Sequence, residues 1–105
     1  MKKKIRCIVK RPNEPIGHFV TLDNRLETFQ KIVGGYIECV RFLREVTLIC
    51  NEEGKIRGLP HNIHMMGDTI AGPCIIVGVD GEDFTDCPLS MEGWKLFLKG
   101  WGNEL

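Results

Sequence analysis

The chain has 105 residues, which is room for one core and so for a single domain over residues 1–105. A composition of 43% hydrophobic and 27% charged residues, at zero formal net charge, excludes a disordered chain, a general nucleic-acid binder and a wholly acidic mimic of DNA. No apolar run approaches the ~20 residues that span a bilayer, and the basic opening lacks an export core of about 7–15 apolar residues, so a cytoplasmic location is expected.

Residues 2–11 alternate, with Ile5, Cys7 and Val9 on one face and Lys4, Arg6 and Ile8 on the other, as in a strand with one wet face. Pro12-Asn13-Glu14-Pro15 is a turn, and a second strand at about 16–22 completes a hairpin. Asp23 or Asn24 caps a helix, with Glu27 at the capping-box distance from Asn24. Leu26, Phe29 and Val33 give that helix an apolar stripe, and Gly34-Gly35 ends it. Strands follow at about 36–42 and 46–50, then a tight reversal over 51–55 with Gly54 at its left-handed position. Residues 58–68 have no clean period and read as an irregular loop. The run 70–79 is almost wholly apolar and suits a central strand covered on both faces, bent near Gly72-Pro73. Asp80-Gly81-Glu82-Asp83 is a turn. Ser90 caps a last helix, in which Met91, Trp94, Leu98 and Trp101 recur at helical spacing as core anchors or as an interface. The expected fold class is α+β: a mainly antiparallel sheet of about five strands, one central helix and one C-terminal helix.

Charge is unevenly placed. Residues 1–57 hold 12 Lys/Arg against 7 Asp/Glu, residues 58–105 hold 2 against 7, and no cation stands between Arg57 and Lys95. Either the two halves interleave in one sheet and neutralise each other, or the second half presents an acidic surface to a basic partner.

Enzymatic signatures fail one by one. Ser90 is the lone serine and fits a helix cap, and neither a nucleophile elbow nor a phosphate-binding glycine loop occurs. The five cysteines are an odd set without CxxC spacing and read as reduced thiols, mostly filling a core; Cys87 lies beside acids expected to raise its pKa. His61, His64 and Asp68 have the residue types of a zinc site. The i,i+3 spacing presumes a helical turn that Pro60 and Asn62 disfavour, so no metal is expected. The acids at 80, 82, 83 and 86 lack calcium-loop spacing. The basic first strand has no interleaved aromatics for stacking on single strands, so strong direct nucleic-acid binding is not expected. No catalytic residue and no cofactor are assigned.

Several blocks occur in a recognisable order: Val33-Gly34-Gly35-Tyr36-Ile37-Glu38, then Cys50-Asn51-Glu52-Glu53-Gly54-Lys55, then Gly58-Leu59-Pro60-x-Asn62. Asp68-x-Ile70-x-Gly72-Pro73 and Val77-Gly78-x-Asp80-Gly81-Glu82-Asp83-Phe84 follow. Over about residues 4–98 the chain resembles the small family called domain of unknown function 3846, common in phages, plasmids and related bacterial elements. That family carries no agreed catalytic residues, so the resemblance transfers none. Length and mobile-element character are also similar to small anti-CRISPR proteins of type II-A systems. This second resemblance implies a non-enzymatic inhibitor in the cytoplasm of a bacterial host, binding a Cas9–guide RNA complex stoichiometrically. The candidate contact residues are then Asp68, Asp80, Glu82, Asp83 and Asp86. Gly58, Leu59, Pro60 and Asn62 form either a binding loop or a difficult backbone turn. The alternative is a protein that sequesters a small molecule or nucleotide signal, in a homodimer cleft lined by residues 59–66 with Arg41, Arg44 or Arg57.

Overall fold

The computed structural model describes residues 1–105. In chain order the elements are β1 (Lys4–Lys10), β2 (His18–Asp23), α1 (Leu26–Val33), β3 (Ile37–Leu43), β4 (Val46–Asn51), β5 (His61–Met65), β6 (Asp68–Ala71), β7 (Cys74–Asp80), β8 (Asp83–Thr85) and α2 (Met91–Gly100). The main sheet runs β2-β1-β7-β4-β3, all antiparallel, with the short β8 also on β7; β5 and β6 form a separate hairpin. The five strands on the main path are the five expected from the sequence.

Two layers cover this sheet. On one face Phe29 and Val33 of α1 pack on Ile5, Cys7, Val9, Ile49, Ile75 and Val77. On the other, Trp94 and Leu98 of α2 and Ile63, Met65 and Ile70 of the hairpin pack on Ile8, Leu48, Cys74 and Ile76. Strands β4 and β7 therefore lose water on both faces, which is why their residues read as a continuous apolar run rather than an alternation. Trp94 is fully buried and is a core residue. Its indole Nε1–H donates to the Ile16 carbonyl at 2.9 Å; Phe42 packs tilted and Trp101 edge-on against its ring, and Phe97 packs in turn on Phe42 and Trp101.

Local signals mostly set local structure. Gly34 ends α1 at φ 84°, and its N–H and that of Gly35 both donate to the Gln30 carbonyl. Ser90 Oγ accepts from the Gly93 N–H at 3.0 Å, capping α2. Gly81, at φ 63°, opens a two-residue turn between the paired Asp80 and Asp83, the glycine-first pattern of a type II′ hairpin.

Other expectations are corrected. The N-cap of α1 is Arg25, without a side-chain cap; Asn24 instead donates to the carbonyls of Lys2 and Phe84, tying the helix entry to the segment before β1 and to β8. Gly54 is not left-handed. It is needed because a Cβ there would stand 2.6 Å from the Ala71 carbonyl oxygen, and the left-handed residue of that turn is Gly58 at φ 68°. The irregular loop at 58–68 is in large part the β5–β6 hairpin. A bulge between His61 and Ile63 erases its alternation. The apolar run 70–79 is two strands, divided at Gly72-Pro73. The second face of β1 is wet only at Lys4 and Arg6, since Ile8 and Lys10 lie under the hairpin and are 0% and 3% exposed.

Candidate functional site

The loop residues singled out from the sequence lie where the chain passes from the sheet to the hairpin. Asn62 is buried, and its amide donates to the carbonyls of Lys10 at 2.9 Å and Gly72 at 2.8 Å. Its Oδ1 accepts from the Lys10 ammonium at 2.5 Å. Gly72 N–H in turn donates to the Pro60 carbonyl, and Leu59 packs so closely that a Cβ on Gly72 would lie 2.7 Å from its Cδ1. The polar groups of this stretch thus close a buried junction. Removal from water holds the Lys10 amine below the usual lysine range.

Beside the junction a cleft of about 290 Å³ opens between β3, the turn after β4 and the hairpin. Its rim carries the exposed carboxylates of Glu38, Glu52 and Asp68 and one ammonium, Lys55, which is bonded to Asp68. Val40, Cys50, Met65 and Ile70 line its apolar side. The Asp68 carboxyl is held below its usual range by Lys55 and then by the Thr69 N–H. Glu38 and Glu52 make no ion pair within the molecule. Charge and shape therefore favour a basic group with an apolar stem over a phosphate. Arg41, Arg44 and Arg57 do not line this cleft, and Arg57 donates instead to the Gly34 carbonyl at 3.1 Å.

The remaining acids separate into two groups. Asp80, Glu82 and Asp83 stand together on the β7–β8 turn and take no side-chain hydrogen bond or ion pair from the molecule. Asp86, by contrast, is built into the fold. One carboxylate oxygen meets the Lys2 ammonium and the other accepts the Arg6 backbone N–H at 2.9 Å, so Lys2 first and Arg6 second keep its pKa low. Asp68, in the cleft, belongs to a different part of the surface. The pairs Lys2–Asp86 and Lys55–Asp68 join the basic half of the chain to the acidic half, so interleaving does neutralise part of the asymmetry.

Four of the five thiols are buried, and Cys39 is exposed on edge strand β3. Burial first, with the neighbouring Cys87 and Asp86, pushes Cys7 up to about 12; burial alone dominates at Cys74, pushed up to about 12, and at Cys50, pushed up to about 11. Cys87 is also raised, but by burial rather than by adjacent acids, and Arg6 opposes the shift. Such thiols are poor nucleophiles near neutral pH.

Glu38, Glu52 and Lys55 were not singled out as site residues from the sequence. Their signal was present in the second and first of the recurring blocks, which the fold brings to one place. These features describe a small α+β domain with a buried polar junction and two acid-bearing surfaces. The chain belongs to the family described as Domain of unknown function (DUF3846), whose model matches residues 5–98. No curated protein and no solved structure matches it.

Proposed function

We propose that this protein is a non-enzymatic, protein-binding antagonist of phage or mobile-element type. It docks acidic side chains on a basic protein surface, and the partner we propose is a Cas9-type nuclease with its guide RNA. The observation that carries this reading is the β7–β8 turn, where Asp80, Glu82 and Asp83 make no ion pair within the molecule, the nearby Lys2 being bonded to Asp86 instead. A Lys/Arg groove built to hold nucleic acid is a complementary surface for such a turn. The buried, high-pKa thiols support a role without covalent chemistry. The alternative, sequestration of a nucleotide signal, gains no support from the cleft, whose one lysine is already held by Asp68.

The test is native mass spectrometry and inhibition assays with a Cas9–guide complex. A stoichiometric protein complex is expected, and Asp80→Asn/Glu82→Gln/Asp83→Asn should slow association by about tenfold at low salt and less at high salt. Equal potency of the triple variant at low salt would remove the acidic turn from the interface. Absence of any complex would reject this partner.

A further inference from the structure

His61 and His64 are three residues apart, a separation that a regular strand sends to opposite faces. The bulge at Asn62 inserts one residue against β6, so Asn62 and Ile63 are both buried and both imidazoles emerge on the exposed side of the hairpin. Their ring centroids are 4.7 Å apart and the planes are inclined at 49°, which is not the geometry of a parallel stack. A nitrogen bound to a first-row metal lies about 2.0–2.1 Å from it, and with roughly 1.2 Å from nitrogen to ring centre each centroid sits roughly 3.2 Å out. Two such rings subtending about 90–109° at the ion are then separated by roughly 4.5–5.2 Å. The observed separation falls inside that interval.

The backbone under the pair is held from both sides. His61 is in register with Ala71, and Asn62 is anchored to Lys10 and Gly72. The N–H of His64 donates to Asn103 Oδ1 at 2.8 Å, and its carbonyl accepts from Asn103 Nδ2 at 2.9 Å. Little chain reorganisation is needed to bring both rings to one ion. No third His, Cys, Asp or Glu completes the set.

We propose that His61 and His64 form a bidentate site for a divalent first-row transition-metal ion, with the remaining coordination positions open to water or to a donor on a partner. Imidazole pairs suit Ni(II), Cu(II) and Zn(II), and an open two-ligand arrangement is a bridge rather than a structural clamp. The helical turn that the sequence lacks is unnecessary, because the bulge performs the same juxtaposition. The remaining histidine, His18, is bonded to Glu14 and serves as an internal control.

The experiment titrates nickel(II) chloride calorimetrically into the intact chain carrying Cys39→Ser, which removes the exposed thiol as a competitor. One equivalent should bind. His61→Gln and His64→Gln should each weaken it by about tenfold or more, and His18→Gln should leave it unchanged. Both pair residues are exposed, and unchanged thermal melts verify folding. Copper(II) electron paramagnetic resonance supplies a second readout, with two histidine nitrogens expected in the parent and one in each pair variant. Parent-like affinity in either pair variant, loss of binding in His18→Gln, or no uptake by the parent would each overturn the assignment.

Discussion

Replacing Asn62 by alanine removes the acceptor of the Lys10 ammonium and the donor to two carbonyls, those of Lys10 and Gly72. All three groups belong to buried residues, and the small methyl that remains admits no new protein partner. An orphaned buried polar group costs about 1–3 kcal/mol, and more when charged, so with three such groups the loss should be at least about 3 kcal/mol. A domain of this size has only about 5–15 kcal/mol of stability in total. Urea unfolding followed by tryptophan fluorescence should show a midpoint lowered by at least ~1 M, for a slope of about 1–3 kcal/mol/M. Lys10→Met provides the contrast: it orphans only Asn62 Oδ1 and releases a buried ammonium, so it should be milder. Asn62→Asp gives the ammonium a counter-charge yet turns the amide donor against two carbonyls, and should remain clearly destabilised. A loss below about 1 kcal/mol for Asn62→Ala, or a Lys10→Met variant that is the more damaged, would refute the reasoning.

Ser90→Ala removes the cap on α2 and should cost about 1 kcal/mol, measured by the same urea titration. Asp23, Asp68 and Asp86 are held below the usual aspartate range, first by side-chain bonds from Lys4, Lys55 and Lys2 respectively. The unfolded chain therefore binds more protons in acid, so their contribution is complete above the unfolded carboxylate range near pH ~4 and is lost as pH falls through the folded values. Melting temperature should accordingly be insensitive to these groups between pH 7 and about 5, and Asp86→Asn should flatten the fall below about 4. A disulfide reagent added to the native protein should label Cys39 alone, with the other four thiols reacting only after unfolding; rapid labelling of a second thiol would show that the core opens without global unfolding.

Where one residue type answers one local demand, the sequence was readable. Glycine for a positive φ after α1, serine for the orphan donors of α2, and alternation over Lys4–Cys7 at the start of β1 each determine structure within a few residues. The failures share a different origin. Asn24 resembled a cap, but its amide goes to the carbonyls of Lys2, just before β1, and of Phe84 in β8, whose proximity arises only in the folded sheet. Lys10 belongs by type to the basic first strand, and nothing near it in sequence announces Asn62, fifty-two positions away. The β5–β6 hairpin was hidden because one inserted residue shifts its inward positions from every second residue to the adjacent Asn62 and Ile63. The same insertion concealed the proximity of His61 and His64. Of the acidic candidates, the turn at 80–83 was legible as a group, whereas the engagement of Asp68 and Asp86 depends on lysines from the opposite half of the chain.

The recurring blocks now divide into two kinds of residue. Asn51 Nδ2 donates to the Val33 carbonyl at the end of α1, and its Oδ1 accepts from the Glu53 N–H. Gly54 lies against Ala71, Gly72 against Leu59, and Asn62 closes the junction. These residues have complete structural tasks, since each either satisfies a buried group or permits a close approach. Tyr36 is 70% exposed, and Glu38 and Glu52 carry exposed carboxylates with no ion pair, yet they occupy the same blocks. Burial and internal hydrogen bonding give their side chains no comparable task, so any requirement for them must come from outside the molecule. Substitutions at Asn51 or Asn62 should therefore act on folding and reduce binding only through it. Substitutions at Tyr36, Glu38 or Glu52 should leave the unfolding midpoint in place and change what the surface holds.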